Sequence, residues 1–142
     1  MTSPAGPRLA LLLLDGFERL VALVTEELAR RGHPGVTATH EFALSAVDDG
    51  AGSTSELAAR LGVTKQAAAK TVAALEQMGY LRRAADPRDA RRRQLTVTPR
   101  GHEMTRLGAA EFDRLRDEWI ATVGPRAAAA AETALDALTR VH

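Results

Sequence analysis

Seven arginines and two aspartates lie in the stretch YLRRAADPRDARRRQLTVTPRG, which runs from Tyr80 to Gly101. Leu95 and Val97 alternate with polar residues near its end, a pattern that indicates a half-buried strand. The stretch therefore predicts a hairpin that carries a dense cluster of positive charge. Such a cluster could bind a polyanion, because arginine side chains contact phosphate groups and enter narrow grooves of negative potential.

The charge of the chain is distributed unevenly. Residues 54–101 contain ten Lys or Arg and four Asp or Glu, whereas the rest of the chain contains nine basic and fourteen acidic residues. The formal net charge of the 142 residues is nevertheless only +1. One basic block in a nearly neutral protein suggests a polyanionic partner for that block. A solvated charged loop is the alternative interpretation of the same residues.

A second cluster of candidate contact residues lies upstream, where Thr64 is expected to cap a helix. Four side chains share the outer face at the start of that helix: Lys65, Gln66, Ala69 and Lys70. Glutamine can pair with adenine edges, lysine with guanine or phosphate, and an alanine methyl group can contact thymine. The two lysines are the only ones in the chain. A surface helix with a small-residue packing face is the alternative interpretation.

Helical periodicity and capping signals define the elements that must position these side chains. The sequence predicts a first helix over residues 8–31 and a second that Thr37 caps. Ser53 and Glu56 form a capping box at the start of a third helix. Gly62 ends that helix, and a turn of about four residues leads into the fourth. The third and fourth helices therefore form a helix-turn-helix unit.

Two short strands and two further helices complete the prediction. The strands cover residues 80–84 and 94–97, and the segment 85–93 that joins them looks too long and too charged for a two-residue turn. Thr98 can cap a long helix, and a glycine-proline break precedes a last helix from Arg126. A hairpin directly after a helix-turn-helix unit makes a winged helix. The predicted fold class is mainly α with a small β-hairpin wing, that is, α+β.

The composition excludes several classes of protein. The chain has no cysteine, so it has no disulfide, no thiolate zinc site and no thiol redox sensor. Its longest apolar run, Leu9 to Leu14, is much shorter than the roughly 20 residues of a membrane span. Residues 1–7 are expected to form a disordered lead. We therefore expect a cytoplasmic protein without membrane association.

No pattern of residues indicates catalysis. The chain lacks a P-loop, a dinucleotide-binding fingerprint and a motif that pairs a nucleophile with a base. His33 and His40 are seven positions apart, but no recognisable metal-ligand motif surrounds them. The sequence thus predicts that the protein is not an enzyme and holds neither a metal nor a cofactor.

The segment STSELAARLGVTKQAAAKTVAALEQMGYLRRAADPRDARRRQLTVTPRG resembles the winged-helix core of MarR-type transcriptional regulators. The most specific part is similar to the wing pattern of that family, which here reads DPRDAR followed by Leu95, Val97, Thr98 and Gly101. The order of elements on both sides also fits, so the resemblance covers nearly the whole chain.

The resemblance implies a DNA-binding core and a dimerisation arm. Residues 36–98 would form the winged helix-turn-helix core. The N-terminal helix at 8–35 and the C-terminal helices at 99–142 would form the arm of a homodimer, and the implied partner is double-stranded DNA. The composition of these helices agrees, because the first has apolar side chains beyond one helical stripe and the last is poor in large apolar residues.

The resemblance also implies roles within the wing, where Arg91 would enter a minor groove with Arg88 and Asp89 in support. The predicted DNA contacts are Thr64, Lys65, Gln66, Ala69, Lys70, Arg88, Arg91 and Arg92. Asp86 and Asp89 can pair with nearby arginines and hold the shape of the tip, although exposed pairs contribute only about 0–1 kcal/mol each. The fourth helix is richer in alanine than the family pattern, so groove shape could carry more of the specificity.

A small aromatic acid is a further implied partner, because such acids often bind the cleft between the arm and the core in this family. His40, Phe17 and Phe42 are the residues predicted to contact it. For the two phenylalanines, which lie at helical spacing on apolar faces, packing in the core or in the dimer interface is the first interpretation.

Two functions remain open from the sequence. The first is a dimeric, sequence-specific DNA-binding regulator, acting as a ligand-responsive repressor at a pseudo-palindromic operator. The second is a winged-helix interaction module whose basic wing docks an acidic protein. The salt dependence of binding distinguishes them, since log affinity for DNA falls linearly with log salt concentration.

Overall fold

The structure, a computed structural model, describes residues 4–142. Within those residues the elements follow the order α1 (Ala5–Arg30), α2 (Ala38–Asp48), α3 (Thr54–Leu61), α4 (Lys65–Gln77), β1 (Leu81–Asp86), β2 (Asp89–Val97), α5 (Pro99–Val123) and α6 (Pro125–Leu138). The two strands pair antiparallel as a hairpin directly after the helix-turn-helix unit of α3 and α4. The mainly helical fold with one β-hairpin wing confirms the fold class predicted from the sequence.

α1 begins earlier than the sequence predicted. Pro4 is the N-cap and Ala5 is the first helical residue. The predicted disordered lead is therefore wrong for residues 5–7, while residues 1–3 lie outside the described part of the chain. Pro7 is compatible with this start, because the N–H groups of the first helical turn have no partner within the helix and a missing donor there costs nothing.

Each helix of the central segment begins with a side-chain cap. Thr37, Ser53 and Thr64 each accept the backbone N–H of the residue three positions later, at 3.0–3.3 Å. These caps agree with the predicted helix starts. Glu56 does not close the predicted capping box on Ser53, because its carboxylate instead accepts the N–H of Gly52 at 3.0 Å.

The hairpin turns more tightly than predicted. β1 ends at Asp86 and β2 begins at Asp89, so only Pro87 and Arg88 connect the strands. The prediction of a long connection over residues 85–93 is therefore wrong. Proline fixes φ at the first turn position, and Asp86 Oδ1 accepts the backbone N–H of Arg88 at 2.8 Å. Most of the charged residues assigned to a loop instead lengthen the two strands.

The helices divide between two compact units, of which the first ends at Gly108 and the second runs from Ala109 to His142. α5 begins in the first unit and continues into the second. The core of the first unit contains these fully buried large side chains: Val24, Leu28, Leu44, Leu57, Val72, Leu75, Tyr80 and Met104. Burial of these side chains fixes the orientation of α4 and of the strand that follows it.

The second unit contains the end of α5 and the whole of α6. Gly124, at a φ of +91°, and Pro125 separate the two helices, which confirms the predicted break. Arg116 of α5 and Glu132 of α6 form an ion pair at 2.6 Å. The two helices therefore form a hairpin of their own.

Glu41 is a buried carboxyl group of the first unit. Its side chain lies on α2, the residue is 8% exposed, and its Oε2 atom has no hydrogen-bond partner among the described residues. A Cβ atom placed on Gly108 of α5 would lie 2.8 Å from Glu41 Oε1 and 3.8 Å from Leu28 of α1. Three helices therefore meet at this carboxyl group, and burial raises its pKa to about 7.

We expect Glu41→Gln to remove a pH dependence of the free energy of unfolding. The pKa of Glu41 is raised from 4.5 to about 7, so its contribution to stability is complete below pH 4.5 and is lost as the pH rises to about 7. A shift of this size corresponds to about 3 kcal/mol. The Gln variant should therefore gain stability relative to the wild type between pH 5 and pH 8, which urea unfolding at one protein concentration measures.

Glu26→Gln is a matched control, because it is the same substitution at an exposed position near the C-terminal end of α1. Its stability should follow that of the wild type at every pH. If Glu41→Gln also parallels the wild type from pH 5 to pH 8, the buried carboxyl group does not titrate in this range.

Candidate nucleic-acid interface

The outer face of α4 is defined by the burial of its inner face. Ala68, Val72 and Leu75 are fully buried, and Gly62 at a φ of +67° turns the chain from α3 into α4. The four predicted contact residues of this helix are all exposed on the other side: Lys65, Gln66, Ala69 and Lys70. They occupy the first two turns, which is the part of a recognition helix that contacts base edges in helix-turn-helix proteins.

Thr64 lies at the N-cap of α4, as predicted. Its Oγ1 accepts the N–H of Ala67 at 3.0 Å, so the hydroxyl proton remains available for donation. The capping hydroxyl can therefore also donate to a phosphate oxygen near the helix N-terminus, where the helix dipole favours an anion.

The tip of the wing is shaped by two aspartates. Asp86 Oδ1 accepts the N–H of Arg88 at 2.8 Å, and Asp89 Oδ1 accepts the N–H of Arg91 at 3.0 Å. The sequence predicted that these carboxylates pair with arginine side chains, whereas their hydrogen bonds go to backbone N–H groups. Such side-chain to backbone bonds fix the turn itself, because Asp readily bonds the backbone two residues on.

A bulge separates the tip from the regular part of the hairpin. The last regular pair joins Ala85 to Arg93, whereas the next pair joins Asp86 to Asp89. Residues 90–92, which include two of the predicted DNA contacts, therefore have no partner on β1. Bulges bend a strand, increase its twist and redirect its side chains.

The cations of this surface differ in whether they already have a partner. Arg83 pairs with Glu76 at 3.1 Å, and Arg60 pairs with Asp49 at 2.9 Å. Over residues 4–142, no ion pair engages the predicted contact cations, which are Lys65, Lys70, Arg88, Arg91 and Arg92. These exposed side chains can therefore bind phosphate oxygens without first breaking an ion pair.

Phe17 and Phe42, two of the predicted effector residues, lie together. Their rings stack with centroids 6.1 Å apart, and the residues are 44% and 48% exposed. Phe42 also lines an open groove of about 580 Å³ on α2 and α3, together with the paired Asp49 and Arg60. The groove thus offers an aromatic surface close to a guanidinium group.

His40, the third predicted effector residue, forms hydrogen bonds that cap the start of α2. It lies at the third position of α2, where its Nδ1 accepts the N–H of Thr37 at 3.1 Å and its own N–H bonds the Thr37 hydroxyl group. Burial lowers the pKa of His40, which favours the neutral ring that this bond requires. His40 does not line the groove beside Phe42.

Sequence reasoning missed three residues at the base of the wing. His33 Nδ1 lies 2.9 Å from the hydroxyl oxygen of Tyr80, and the guanidinium carbon of Arg100 lies 5.1 Å from the centre of the Tyr80 ring. These residues are far apart in the chain, so no local pattern could relate them. The only signal was a lone tyrosine directly after Gly79, which has a φ of +83° just beyond the end of α4.

Two further features bear on the kind of site. No group of three or more His, Cys, Asp or Glu residues in the described chain could hold a metal ion. None of the helices in residues 4–142 is both long enough and apolar enough to cross a membrane.

The region from the end of α1 to the wing tip, residues 34–92, matches the model of the MarR family. Residues 34–92 are therefore similar to a MarR-type winged helix. The match confirms the resemblance that the residues of the helix-turn-helix unit and wing indicated. A comparison with curated proteins gave no match.

Solved structures of low sequence identity share the fold of nearly the whole chain. RV1404 from Mycobacterium tuberculosis is 20% identical, with a TM-score of 0.74 over 97% of this chain and 94% of that one. A MarR-family transcriptional regulator from Rhodococcus sp. RHA1 is 16% identical, with a TM-score of 0.70 over 98% and 97% of the two chains. BpsR from Bordetella bronchiseptica, whose DNA binding is regulated by 6-hydroxynicotinic acid, is 18% identical, with a TM-score of 0.71 over both complete chains. At these identities the similarity establishes the fold.

Proposed function

We propose that the protein is a dimeric, sequence-specific DNA-binding transcriptional regulator that acts as a repressor at a pseudo-palindromic operator. The observation that carries this proposal is the set of exposed cations on the outer face of α4 and at the wing tip, none of them in an ion pair within residues 4–142. A MarR-type winged helix with such a surface is suited to duplex DNA, because a helix and a flanking hairpin can engage adjacent grooves.

The two parts of this surface would contribute differently to binding. Gln66 and Ala69 lie on the face of α4 that would meet base edges in the major groove, so they would read sequence. Arg88, Arg91 and Arg92 at the wing tip would bind phosphates or a narrow minor groove, which supplies affinity with little sequence content. The protein would therefore recognise its operator mainly through α4.

A homodimer is part of the proposal. α1 exposes six large apolar side chains, each between 41% and 58% exposed: Leu9, Leu11, Leu12, Leu14, Phe17 and Leu20. Leu135 and Leu138 of α6 are likewise exposed, at 42% and 38%. These side chains are already about half buried, so covering the rest of one contributes about 1 kcal/mol, and contact of the whole set with a second copy would stabilise both chains. Residues 8–35 and 99–142 would then form the dimerisation arm.

A small aromatic acid is the proposed effector. BpsR, which shares this fold, is regulated by 6-hydroxynicotinic acid. In the present chain, the groove beside Phe42 combines an aromatic ring stacked on Phe17 with the guanidinium group of Arg60. An aromatic carboxylate could stack on Phe42 and compete with Asp49 for Arg60. His40 would support the start of α2 without contacting the ligand.

The function is tested by sedimentation of the protein with labelled duplexes. We expect the chain alone to sediment as a dimer at micromolar concentration, and two chains to bind one duplex taken from the DNA beside its own gene. Log affinity should fall linearly with log salt concentration, by about 0.9 for each phosphate contact. A random duplex of equal length is the control and should bind much more weakly.

Two results would contradict this proposal. A wild-type chain that sediments as a stable monomer would contradict the proposed homodimer. Binding with shallow salt dependence and no preference among duplexes would favour the alternative, an interaction module whose basic wing docks an acidic protein.

A further inference from the structure

His33 is a polar side chain in the core of the first unit. It lies three residues after the last residue of α1 and is 1% exposed. Its Nδ1 lies 2.9 Å from the Tyr80 hydroxyl oxygen, and its Nε2 lies 3.5 Å from a carboxylate oxygen of Glu103 on α5. The tautomer with a proton on Nε2 satisfies both partners, because it accepts from the tyrosine hydroxyl group and donates to the carboxylate.

Tyr80 connects this histidine to the wing. It is fully buried and lies between the end of α4 and the first residue of β1. Its N–H donates to Leu75 in the last turns of α4 at 2.9 Å, and its carbonyl oxygen accepts the N–H of Thr98 at 3.0 Å, one residue before α5. Burial is the largest influence that raises the pKa of its hydroxyl group, which therefore remains a neutral partner for His33.

Arg100 covers the same junction from the outside. Its guanidinium group lies over the Tyr80 ring, donates to the carbonyl oxygen of Met78 at 3.2 Å and donates to that of Gly32 at 3.2 Å. Those carbonyl groups lie just past the ends of α4 and α1. A positive charge is favourable there, because the C-terminal carbonyl groups of both helices lack partners within the helix.

We propose that His33, Tyr80 and Arg100 form a positioning cluster that sets the angle at which the wing leaves the recognition helix. The inference rests on the proposed function, because it assigns these residues to DNA binding through the wing tip. None of the three touches DNA in this scheme. They act by joining the end of α1 and the start of α5 to the first strand of the wing.

The geometry of the hairpin makes the position of the wing tip depend on contacts at the base of the wing. A two-stranded hairpin is marginally stable by itself, so its direction depends on what holds its base. β1 has six residues, which at about 3.3 Å per residue corresponds to a lever of about 20 Å. A rotation of about 10° at the base would therefore move the tip by about 3 Å, which is enough to break a hydrogen bond to phosphate.

The first test measures the wing in the absence of DNA. Tyr80→Phe keeps the ring under Arg100 and removes only the hydroxyl group that His33 contacts, leaving a buried nitrogen without its partner. We expect amide hydrogen exchange to become at least threefold faster in β1 and β2 and to remain unchanged in α3. Thr122→Val is the control, because it removes an exposed hydroxyl group from the second unit. Unchanged exchange in the wing, or equal acceleration in every element, would overturn the inference.

The second test asks whether the cluster acts on DNA through the wing. We expect Tyr80→Phe to weaken operator binding about tenfold in the wild type and in a Gln66→Ala background. It should cause almost no further loss in an Arg91→Ala background, because the wing contact is then already absent. His33→Gln retains a donor and an acceptor, so it should bind the operator with an affinity close to that of the wild type. This result would show that hydrogen bonding, and not packing of the histidine ring, is what matters at this position. Equal losses in both backgrounds would overturn the inference and leave only a general effect on stability.

The two tests distinguish this inference from the proposed function. A wild-type protein that binds no DNA would refute the function, and the inference that depends on it would fail too. A wild-type protein that binds its operator but shows no coupling between Tyr80 and Arg91 would refute the positioning role alone.

Discussion

Gln66→Ala is expected to weaken binding to the cognate operator by about 1–3 kcal/mol per half-site and to leave binding to random DNA almost unchanged. Gln66 is exposed in the first turn of α4, whose opposite face is held by buried Val72 and Leu75. A side chain on such a face can reach a base edge without moving the helix. Both half-sites of a dimer lose the contact, so the total loss could reach about 6 kcal/mol.

Arg91→Ala should produce a different pattern. Arg91 lies in the bulge at the wing tip, outside any ion pair of the described residues. Its removal should weaken operator and random DNA to similar extents and reduce the salt slope by about one per subunit. If Arg91 instead reads a narrow minor groove, the loss should be larger where an A-tract lies under the wing.

Fluorescence anisotropy with two duplexes across a salt series measures both variants. Gln77→Ala is a matched control, because it makes the same substitution at the exposed last residue of α4, away from the proposed major-groove contact. It should bind both duplexes like the wild type. If Arg91→Ala leaves affinity and salt slope untouched, the arginine-rich hairpin is not a DNA-binding wing.

Gly101→Ala is expected to reduce the free energy of unfolding by about 3 kcal/mol, even though alanine normally favours a helix over glycine. A Cβ atom at this position would lie 2.4 Å from the carbonyl oxygen of Tyr80 and 2.7 Å from Val97 Cγ1. The Tyr80 carbonyl oxygen belongs to the backbone and already accepts the N–H of Thr98, so it cannot move without breaking that hydrogen bond. The clash would separate α5 from the base of the wing.

Urea unfolding at fixed protein concentration measures this effect. His102→Ala, at the exposed neighbouring position of α5, is the control and should change stability by only about 0.5 kcal/mol. A Gly101→Ala protein as stable as the wild type would mean that α5 and the Tyr80 carbonyl group do not lie in close contact.

The helices and their caps could be predicted because they depend on residues close together in the chain. Thr37, Ser53 and Thr64 each bond a residue three positions later, and Gly62 permits the left-handed turn after α3. A hydroxyl group and a glycine at such positions can be recognised in the sequence alone. The exposed face of α4 follows in the same way from the spacing of its apolar residues.

The sequence predicted the presence of the wing but not its turn, because two aspartate side chains determine the turn. Its charge and its strand pattern are visible in the sequence, but the length of the connection is not. Asp86 and Asp89 bond the backbone two residues on, which closes a two-residue turn where a run of charged residues suggested a loop. The bulge then takes up residues 90–92.

The sequence by itself determined the order of the elements, the helix-turn-helix unit, the basic hairpin and the resemblance to the MarR family, because each depends on local spacing. Only the tertiary structure decided that Glu41 is buried against Gly108 and that Tyr80 contacts His33, 47 positions away. Arg100 and Gly32, which also meet there, are 68 positions apart. Such contacts depend on how whole helices pack. Packing is decided by the combined burial of many side chains, and no single stretch of sequence contains that information.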